Sequence, residues 1–451
     1  TLKVVLMSAT LNANMFVDYF AMGCDEGNGN KENNGGLGSC GIISIPGRAF
    51  PVTTYYLEDA LEHTGYEIRA GSDCAYKAPR GSSSGGGASY AAGGGYKGSG
   101  GTKAKEKSPD QLRREMLQAV DELQKKRKLS LRTVQSLSTV DESIINLELI
   151  QALVLHLMAE GKKICASAGG SSSDGGGKGR NKDGGSQQAA AILIFVPGLG
   201  DIRDVIACLE ERSELRDAAR ILPLHSSLSS HDQSLVFQLP PAGKRKIIVS
   251  TNIAETSVTI EDVVYVIDTC KVKENSFDEE AQMNVLQEQW HSQANARQRR
   301  GRAGRVRAGV CYHLCCSFTL PLLAAYTEPE MRRMSLEELI LQVLALDLGD
   351  PYEFLGSALT PPETIAVTNA ILYLESLNAV LVDGPVPSIA SAASKGRNVT
   401  VQCQITPLGF HLAALPISPR IGKLMLFGVL LRCIDPGSLS QEPLCGPLPR
   451  T

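Results

Sequence analysis

Short apolar runs recur along this chain and alternate with longer segments whose apolar positions repeat at helical spacing. Leu2–Met7, Ile192–Val196, Ile221–Leu224, Lys246–Ser250, Val263–Ile267 and Val310–Leu314 are the runs, and turn-forming or polar residues bound them. Their length and β-branched content predict buried strands. Asp141–Glu160, the stretch from Asp201 to about Leu215, and Ser229–Phe237 carry the amphipathic pattern of helices. Strands alternating with helices imply a parallel sheet covered on both faces, an α/β domain. Ligands of such sheets sit beyond the carboxyl ends of the strands. Two chemically rich stretches, 250–261 and 297–307, flank strands in a way compatible with that edge.

After residue 317 the pattern becomes helical. Ser335-Leu336-Glu337-Glu338 and Thr360-Pro361-Pro362-Glu363 read as capping boxes opening two apolar-periodic helices. The region 318–383 is thus expected to be a small, mainly helical domain. A further unit starts near Ile405-Thr406-Pro407-Leu408-Gly409 and continues as an apolar helix through Ile421–Cys433. Three stretches break the order: 23–40 is rich in Gly and Asn, 81–101 holds ten glycines, and 167–188 is Gly/Ser/Lys-rich. None carries enough apolar surface to offset ordering entropy, so they predict disordered insertions on surface loops. Between them, Ser108-Pro109-Asp110-Gln111 is a helix start. Leu112, Met116, Val120 and Leu123 follow as a narrow apolar stripe.

At 451 residues the length suits about three domains. Hydrophobic content of 43% and charged content of 21% describe a soluble globular chain with no membrane partner. The net charge of −3 gives no overall basic footprint, so any nucleic-acid contact must be local. No apolar run reaches the ~18 residues of a membrane span. The twelve cysteines form no metal pattern. Cys311, Cys315 and Cys316 cluster without a second Cys or His pair at zinc spacing, which reads as a buried strand in a reduced, intracellular compartment, cytoplasmic or nuclear. No metal ligands are assigned. The chain opens on Thr-Leu-Lys-Val-Val rather than methionine, which predicts a start upstream.

The chemistry concentrates in 297–307, Arg-Gln-Arg-Arg-Gly-Arg-Ala-Gly-Arg-Val-Arg. On a helix, Gln298, Arg302 and Arg305 fall at i, i+4 and i+7 and share one face. Gly301, Ala303 and Gly304 would keep the surface between them slim. Arginine contacts phosphate bidentately and stays charged at any working pH. One glutamine with two arginines suits the terminal phosphate of a nucleotide and its attacking water. The block Ser250-Thr251-Asn252-Ile253-Ala254-Glu255-Thr256-Ser257-Val258-Thr259-Ile260 leaves a strand and is dense in hydroxyls. Its backbone N–H groups and hydroxyls suit phosphate and sugar contacts.

Taken together, these two blocks resemble motifs V and VI of the DEAH-box/RNA helicase A-like family of superfamily 2 helicases. Ser8-Ala9-Thr10 looks like motif III, Leu193-Ile194-Phe195-Val196-Pro197-Gly198 like motif IV, and Leu224-His225-Ser226-Ser227-Leu228 like the segment after it. The resemblance covers 1–20, 41–62, 131–165 and 189–436. It implies roles for particular positions. Arg302 and Arg305 match arginine fingers on the γ-phosphate, and Gln298 matches the glutamine beside the attacking water. Ser257 matches a sensor of nucleotide state. Thr259 and Glu261 fall where the family contacts ribose, although an aspartate is commoner at the latter. Phe237 matches an aromatic that stacks on the base. Thr251 and Asn252 match residues near the RNA backbone, and Ser8 and Thr10 residues of interdomain coupling. Residues 271–288 occupy the place of a strand-parting β-hairpin.

The same resemblance implies a domain plan. Residues 1–20 end a first RecA-like domain, and 41–316 form the second, with insertions at 63–130 and 167–188. A winged-helix domain spans 317–403, the start of a helical ratchet domain 404–436, and a divergent tail 437–451. Neither a Gly-x-x-x-x-Gly-Lys-Thr loop nor an Asp-Glu-Ala-His sequence occurs in these residues, and those motifs supply the Lys and carboxylate that hold the nucleotide's Mg²⁺. The resemblance implies an ATP-dependent RNA helicase that moves 3′-to-5′, acting on single strands or duplexes with a 3′ overhang. ATP (other nucleoside triphosphates included) and Mg²⁺ would then need a first domain, and protein cofactors could join. The alternative is a catalytically silent RNA-binding scaffold derived from the family.

Overall fold

A computed structural model of the chain describes residues 5–7, 13–22, 42–43, 45, 50–77, 109–168, 190–241, 243–256, 258–278, 283–383 and 402–432. Their elements, in chain order, begin with helix α1 (Ala13–Met22), strand β1 (Val52–Tyr55), α2 (Leu57–Thr64), α3 (Pro109–Lys126), α4 (Leu131–Thr139) and α5 (Leu147–Ala168). Next come β2 (Ala191–Phe195), α6 (Leu199–Glu211), α7 (Ser213–Ala218), β3 (Ala219–Leu224), α8 (Ser230–Ser234), β4 (Arg245–Ser250), α9 (Ile253–Thr256) and β5 (Val263–Asp268). A two-stranded ribbon, β6 (Lys271–Asp278) and β7 (Met283–Trp290), leads to α10 (Gln293–Arg300) and β8 (Gly309–His313). The remaining elements are α11 (Glu330–Arg333), α12 (Glu337–Ala345), α13 (Pro351–Gly356), α14 (Thr364–Ser376), β9 (Val380–Asp383), β10 (Gln402–Ile405), α15 (Pro407–Ala413) and α16 (Pro419–Leu430).

The chain divides into two compact units: residues 1–13, 41–274 and 287–327 form the first, and residues 14–40, 275–286 and 328–451 the second. The first is built on a six-stranded sheet in the order β1-β8-β5-β2-β4-β3, with every pairing parallel. Period-2 alternation explains its two covered faces. Along β2, Ile192 and Ile194 join the core under α5 and α6, with Leu153, Leu157, Val205 and Leu209. Ala191, Leu193 and Phe195 point the other way, onto Val236, Ala254 and Ala303. The second face is thus covered by the hydroxyl-rich block and the arginine segment themselves.

Five strands form where the apolar runs place them; of the first run, Leu2–Met7, only residues 5–7 are described. Residues 5–7 have no regular structure, and 1–4 and Ser8-Ala9-Thr10 lie outside the described residues. The sixth strand is β1, whose Thr53 and Thr54 hide it from an apolar-run criterion; it is an edge strand, only partly buried. The helix expected from Asp141 begins at Leu147, because the Asn146 side chain caps it by accepting from Leu149 N at 2.9 Å.

The insertion assigned to 63–130 is narrower than its assignment. Ile68 and Val120 are buried in one cluster with Leu57, Leu61, Leu137 and Leu149, so 66–77 and 109–130 belong to the packed body. The apolar stripe from Leu112 does form a helix, α3. The low-complexity stretches 23–40, 81–101 and 169–188 lie outside the described residues.

In the second unit, α12, α13 and α14 pack with the antiparallel pair β9–β10 around Ile340, Leu341, Leu355, Ile371 and Leu374. Leu408, Leu412 and Leu426 share that core, so 404–432 packs with 330–383 rather than around a separate core. Residues 317–327 fall in the first unit, where the carbonyls of Ala324 and Ala325 accept from the first N–H groups of α10. Both predicted capping boxes fail. The Ser335 hydroxyl accepts from Asn284 Nδ2 at 3.3 Å, and α12 starts after Leu336. Pro362 disfavours helical backbone at Pro361, so α14 starts at Thr364.

Two glycines of the arginine segment's surroundings are required by packing. A Cβ on Gly304 would stand 2.6 Å from the Phe50 carbonyl oxygen and 2.7 Å from Val52 Cγ2. A Cβ on Gly309 would overlap the Ala303 carbonyl. Gly304 and Ala303 are small because they face inward onto β1 and the core, which corrects the expectation that they slim an outer surface. Gly304→Ala is therefore expected to destabilise the chain by roughly 1–3 kcal/mol, an overpacking cost. Urea unfolding of the purified chain measures it, and Gly356→Ala, which meets nothing within 4 Å, serves as the control.

Candidate functional site

The site is built where the segment leaving β4 meets the segment entering β8. Helix α10 follows β7 and precedes β8, so it runs from the carboxyl edge of the sheet back towards the amino edge. Ser292 caps it: its hydroxyl accepts from Asn295 N, and Asn295 Oδ1 accepts from Ser292 N, each at 3.3 Å. The helix ends at Arg300, and 301–307 continue as turns. Gln298, Arg302 and Arg305 therefore do not share a continuous helical face, because the Gly-Arg-Ala-Gly sequence unwinds the chain after one glutamine-bearing turn.

What joins the two segments is Arg299, to which sequence reasoning gave no role. Its side chain is fully buried. Its Nε donates to Glu255 Oε2 at 3.0 Å, and its Nη1 donates to Asp268 Oδ1 at 2.7 Å and to the Lys271 carbonyl at 3.1 Å. Its guanidinium carbon lies 5.0 Å from the Phe195 ring centre, a cation–π contact. Glu255 Oε1 also accepts from Asn295 Nδ2 at 2.5 Å. Asp268 closes the network, its Oδ2 bonded to His291 Nε2 at 2.8 Å and to His313 Nδ1 at 2.9 Å. Burial works to raise the Asp268 pKa, but His291 and Arg299 outweigh it and hold the carboxyl well below its usual range. Burial works against a charged His291 too, yet the Asp268 carboxylate holds its pKa up to about 9. No motif spacing signals this cluster. A signal was available in composition only: a charged residue flanked by helical alanines at 294 and 296 sits on the inward stripe of α10.

The expected site residues fall around this anchor. Arg302 is half-buried; its Nη1 donates to the Val258 carbonyl at 3.2 Å, and its Nη2 donates to the Glu255 carbonyl. Burial and neighbouring Arg305 lower its pKa to about 10, which leaves it charged near neutral pH. Arg305 is exposed, and its Nη1 donates to Thr259 Oγ1 at 3.3 Å. Gln298 is half-buried near the end of α10. Thr251 is buried, its N–H on the Leu224 carbonyl at 3.3 Å, while Asn252 and Glu261 are exposed. Ser257, like Ser8 and Thr10, lies outside the described residues.

Phe237 is 56% exposed, so its ring is not part of the core. Its backbone is nevertheless fixed. The buried Lys246 ammonium donates to the Val236 carbonyl at 2.6 Å and to the Gln238 carbonyl at 3.2 Å, while pairing with Asp262 at 2.9 Å. Arg297 and Arg300 serve another surface, lining a recess of about 150 Å³ with Thr54, Tyr56, Gln293 and His313. The donor set Asp268, Cys270, His291 and His313 could hold a metal ion, a juxtaposition that linear spacing did not show.

A fully parallel six-stranded sheet with both faces covered, one of them by a strand-exit block clamped to an arginine segment, fits a RecA-like domain. Residues 185–307 match the family described as "Helicase conserved C-terminal domain". The chain is 36% identical to the human putative ATP-dependent RNA helicase DHX57 over 96% of its own length, and 36% identical to the human ATP-dependent DNA/RNA helicase DHX36 over 99%. It is also 36% identical to the ATP-dependent RNA helicase dhx29 of Xenopus laevis over 96%. It spans 28%, 37% and 27% of those relatives' lengths, respectively. A solved structure of the E. coli DExH-box NTPase HrpB matches 53% of the chain and 27% of its own at 30% identity and a TM-score of 0.43. The chain belongs to the DEAH-box family of superfamily 2 helicases. Among the described residues, no helix is long and apolar enough to cross a membrane.

Removing Arg299 would leave Glu255 buried without its cation and take from Asp268 one of its charged partners. Arg299→Met is expected to cost about 3–5 kcal/mol in urea unfolding, the range for breaking a buried ion pair. Arg305→Ala, at an exposed position, is expected to stay within about 0.5 kcal/mol of the parent.

Proposed function

We propose that this chain supplies one wall of the nucleotide cleft, and part of the RNA path, of an ATP-dependent RNA helicase. The observation that carries the reading is the attachment of Arg302 and Arg305 to 255–259. That attachment sets two cations against the hydroxyl-bearing segment that joins β4 to β5, and nothing in the core requires the exposed Arg305. In this reading ATP and Mg²⁺ bind between this RecA-like domain and a partner RecA-like domain that carries the phosphate loop and Mg²⁺ carboxylates. Arg302 and Arg305 then reach the γ-phosphate, and Gln298 orients the attacking water. Thr259 and Glu261 meet the ribose, and Phe237 stacks on the base. Ser257 senses the nucleotide state, while Ser8 and Thr10 couple the domains. Thr251 and Asn252 contact the RNA backbone from the exit of β4.

Each cation at the γ-phosphate neutralises charge that develops on the equatorial oxygens, and such arginines are worth about 10³–10⁵ in rate. At ~1.36 kcal/mol per decade that corresponds to about 4–7 kcal/mol. Opening and closing of the cleft would then step the domains along one strand, 3′-to-5′. In this reading residues 317–403 form the winged-helix domain and 404–436 the opening of the ratchet domain, the 271–288 ribbon parts the strands, and protein cofactors bind elsewhere. The relatives' names, ATP-dependent RNA or DNA/RNA helicases, support both substrate classes.

In the full-length protein, RNA-stimulated ATP hydrolysis is expected to fall at least about 10³-fold in Arg302→Ala and in Arg305→Ala, while nucleotide binding persists. Undiminished turnover in both variants would refute the finger assignment. Absence of RNA stimulation in the parent would refute the helicase reading in favour of a silent RNA-binding scaffold. Competition between RNA and DNA at a fixed salt concentration decides the nucleic acid.

A further inference from the structure

Four donor-bearing side chains converge on one point at the carboxyl end of β5. Asp268, Cys270, His291 and His313 are all buried, and one ligand-competent atom from each lies within 4.8 Å of the others. They arrive from three places: the end of β5 and its turn, the residue before the α10 cap, and the last residue of β8.

Two features of this cluster go unused by the ion-pair network around Arg299. The first is Cys270. Its φ of 60° is left-handed, a conformation that costs an ordinary L-residue roughly 1–2 kcal/mol and glycine nothing. Its thiol points into the cluster, with Sγ 3.4 Å from Cys315 Sγ and 4.0 Å from His313 Nδ1. The second is His291. Its Nε2 is engaged with Asp268, but its Nδ1 is buried without any hydrogen-bond partner. A buried nitrogen left unpaired is destabilising by about 1–3 kcal/mol.

We propose that Asp268, Cys270, His291 and His313 form a structural site for a zinc-type divalent transition metal, with the Cys315 thiol beside it. A thiolate, two imidazoles and a carboxylate are the mixed donor set that zinc takes in four-coordinate sites. Magnesium and calcium prefer oxygen ligands, so this site is distinct in chemistry from the nucleotide's Mg²⁺. On binding, the Cys270 S–H bond breaks, the sulfur's electron pair goes to the metal and the proton to solvent; any imidazolium ligand likewise gives up the proton on its ligating nitrogen. Four protein ligands leave no open position, which makes the site structural rather than catalytic. It would tie together the end of β5, the start of α10 and the end of β8, the elements that frame the arginine segment.

Metal content of the purified chain, measured by inductively coupled plasma mass spectrometry, tests this alongside titration of the metal-depleted chain with Co²⁺. About one equivalent of Zn²⁺ per chain is expected, with intense Co²⁺ absorption of a tetrahedral, thiolate-bound site. Cys270→Gly suits the left-handed backbone and so keeps the fold. In that variant the thiolate-to-cobalt band should vanish, and affinity should fall at least about tenfold, as it should in His291→Gln. Chelation should lower the Tm of the parent and not of Cys270→Gly. The proposal is overturned by a folded parent chain that carries no metal and gives no Co²⁺ spectrum. It is equally overturned if Cys270→Gly retains stoichiometry and band, or if peptide mapping finds Cys270 and Cys315 joined as a disulfide in the metal-free parent.

Discussion

One buried guanidinium organises the first unit. Arg299 holds Glu255, from the exit of β4, and Asp268, from the end of β5, at 3.0 and 2.7 Å. Two carboxylates inside a protein are unfavourable without a cation, and a lone arginine there is equally so. The three charges are therefore interdependent, and they fix α10 against two strands at once. Aromatic support from Phe195 at the end of β2 adds a third strand to the same anchor.

This constraint explains why the outward-facing residues stand where they do. Glu255 is both the buried partner of Arg299 and, through its backbone carbonyl, an acceptor for Arg302. The inward side of the segment is thus fixed by ion pairs and by the tight contacts of Gly304 and Gly309. Its outward side keeps Arg305 on Thr259. A rigid interior with exposed cations at its rim is a preorganised surface, which reorganises little when a phosphate binds. Lys246 plays a parallel part for the exposed Phe237, since it pins the carbonyls on either side of that ring.

Much of the sheet was legible from residues alone because buried parallel strands are near-continuous apolar runs. Ile192–Val196, Lys246–Ser250 and Val263–Ile267 are of that kind. The edge strand Val52–Tyr55 was not legible, since it is only partly buried and carries Thr53 and Thr54 at its centre. The arginine segment was legible as chemistry but not as geometry. Its glycines end the helix and allow backbone contact inside the fold, so a helical projection misplaced Arg302 and Arg305. Arg299 went unread because its charge does not separate it from the arginines around it, and the only local sign of burial is the inward stripe it shares with Ala294 and Ala296. The Asp268, Cys270, His291 and His313 cluster was hidden for the same reason, being assembled by tertiary packing across 45 residues. Ser335 shows the converse, a local capping signal that is not used, its hydroxyl accepting from Asn284 instead.

The decisive measurement is a double-mutant cycle between Arg299 and Glu255, read by urea unfolding of the purified chain with Arg299→Met, Glu255→Gln and the pair. If Arg299 is the shared anchor, the second substitution costs far less once the first is made, with a coupling of roughly 2 kcal/mol or more. Additive costs, with coupling below about 0.5 kcal/mol, would mean that the two segments are held independently and that Arg299 is not what joins them.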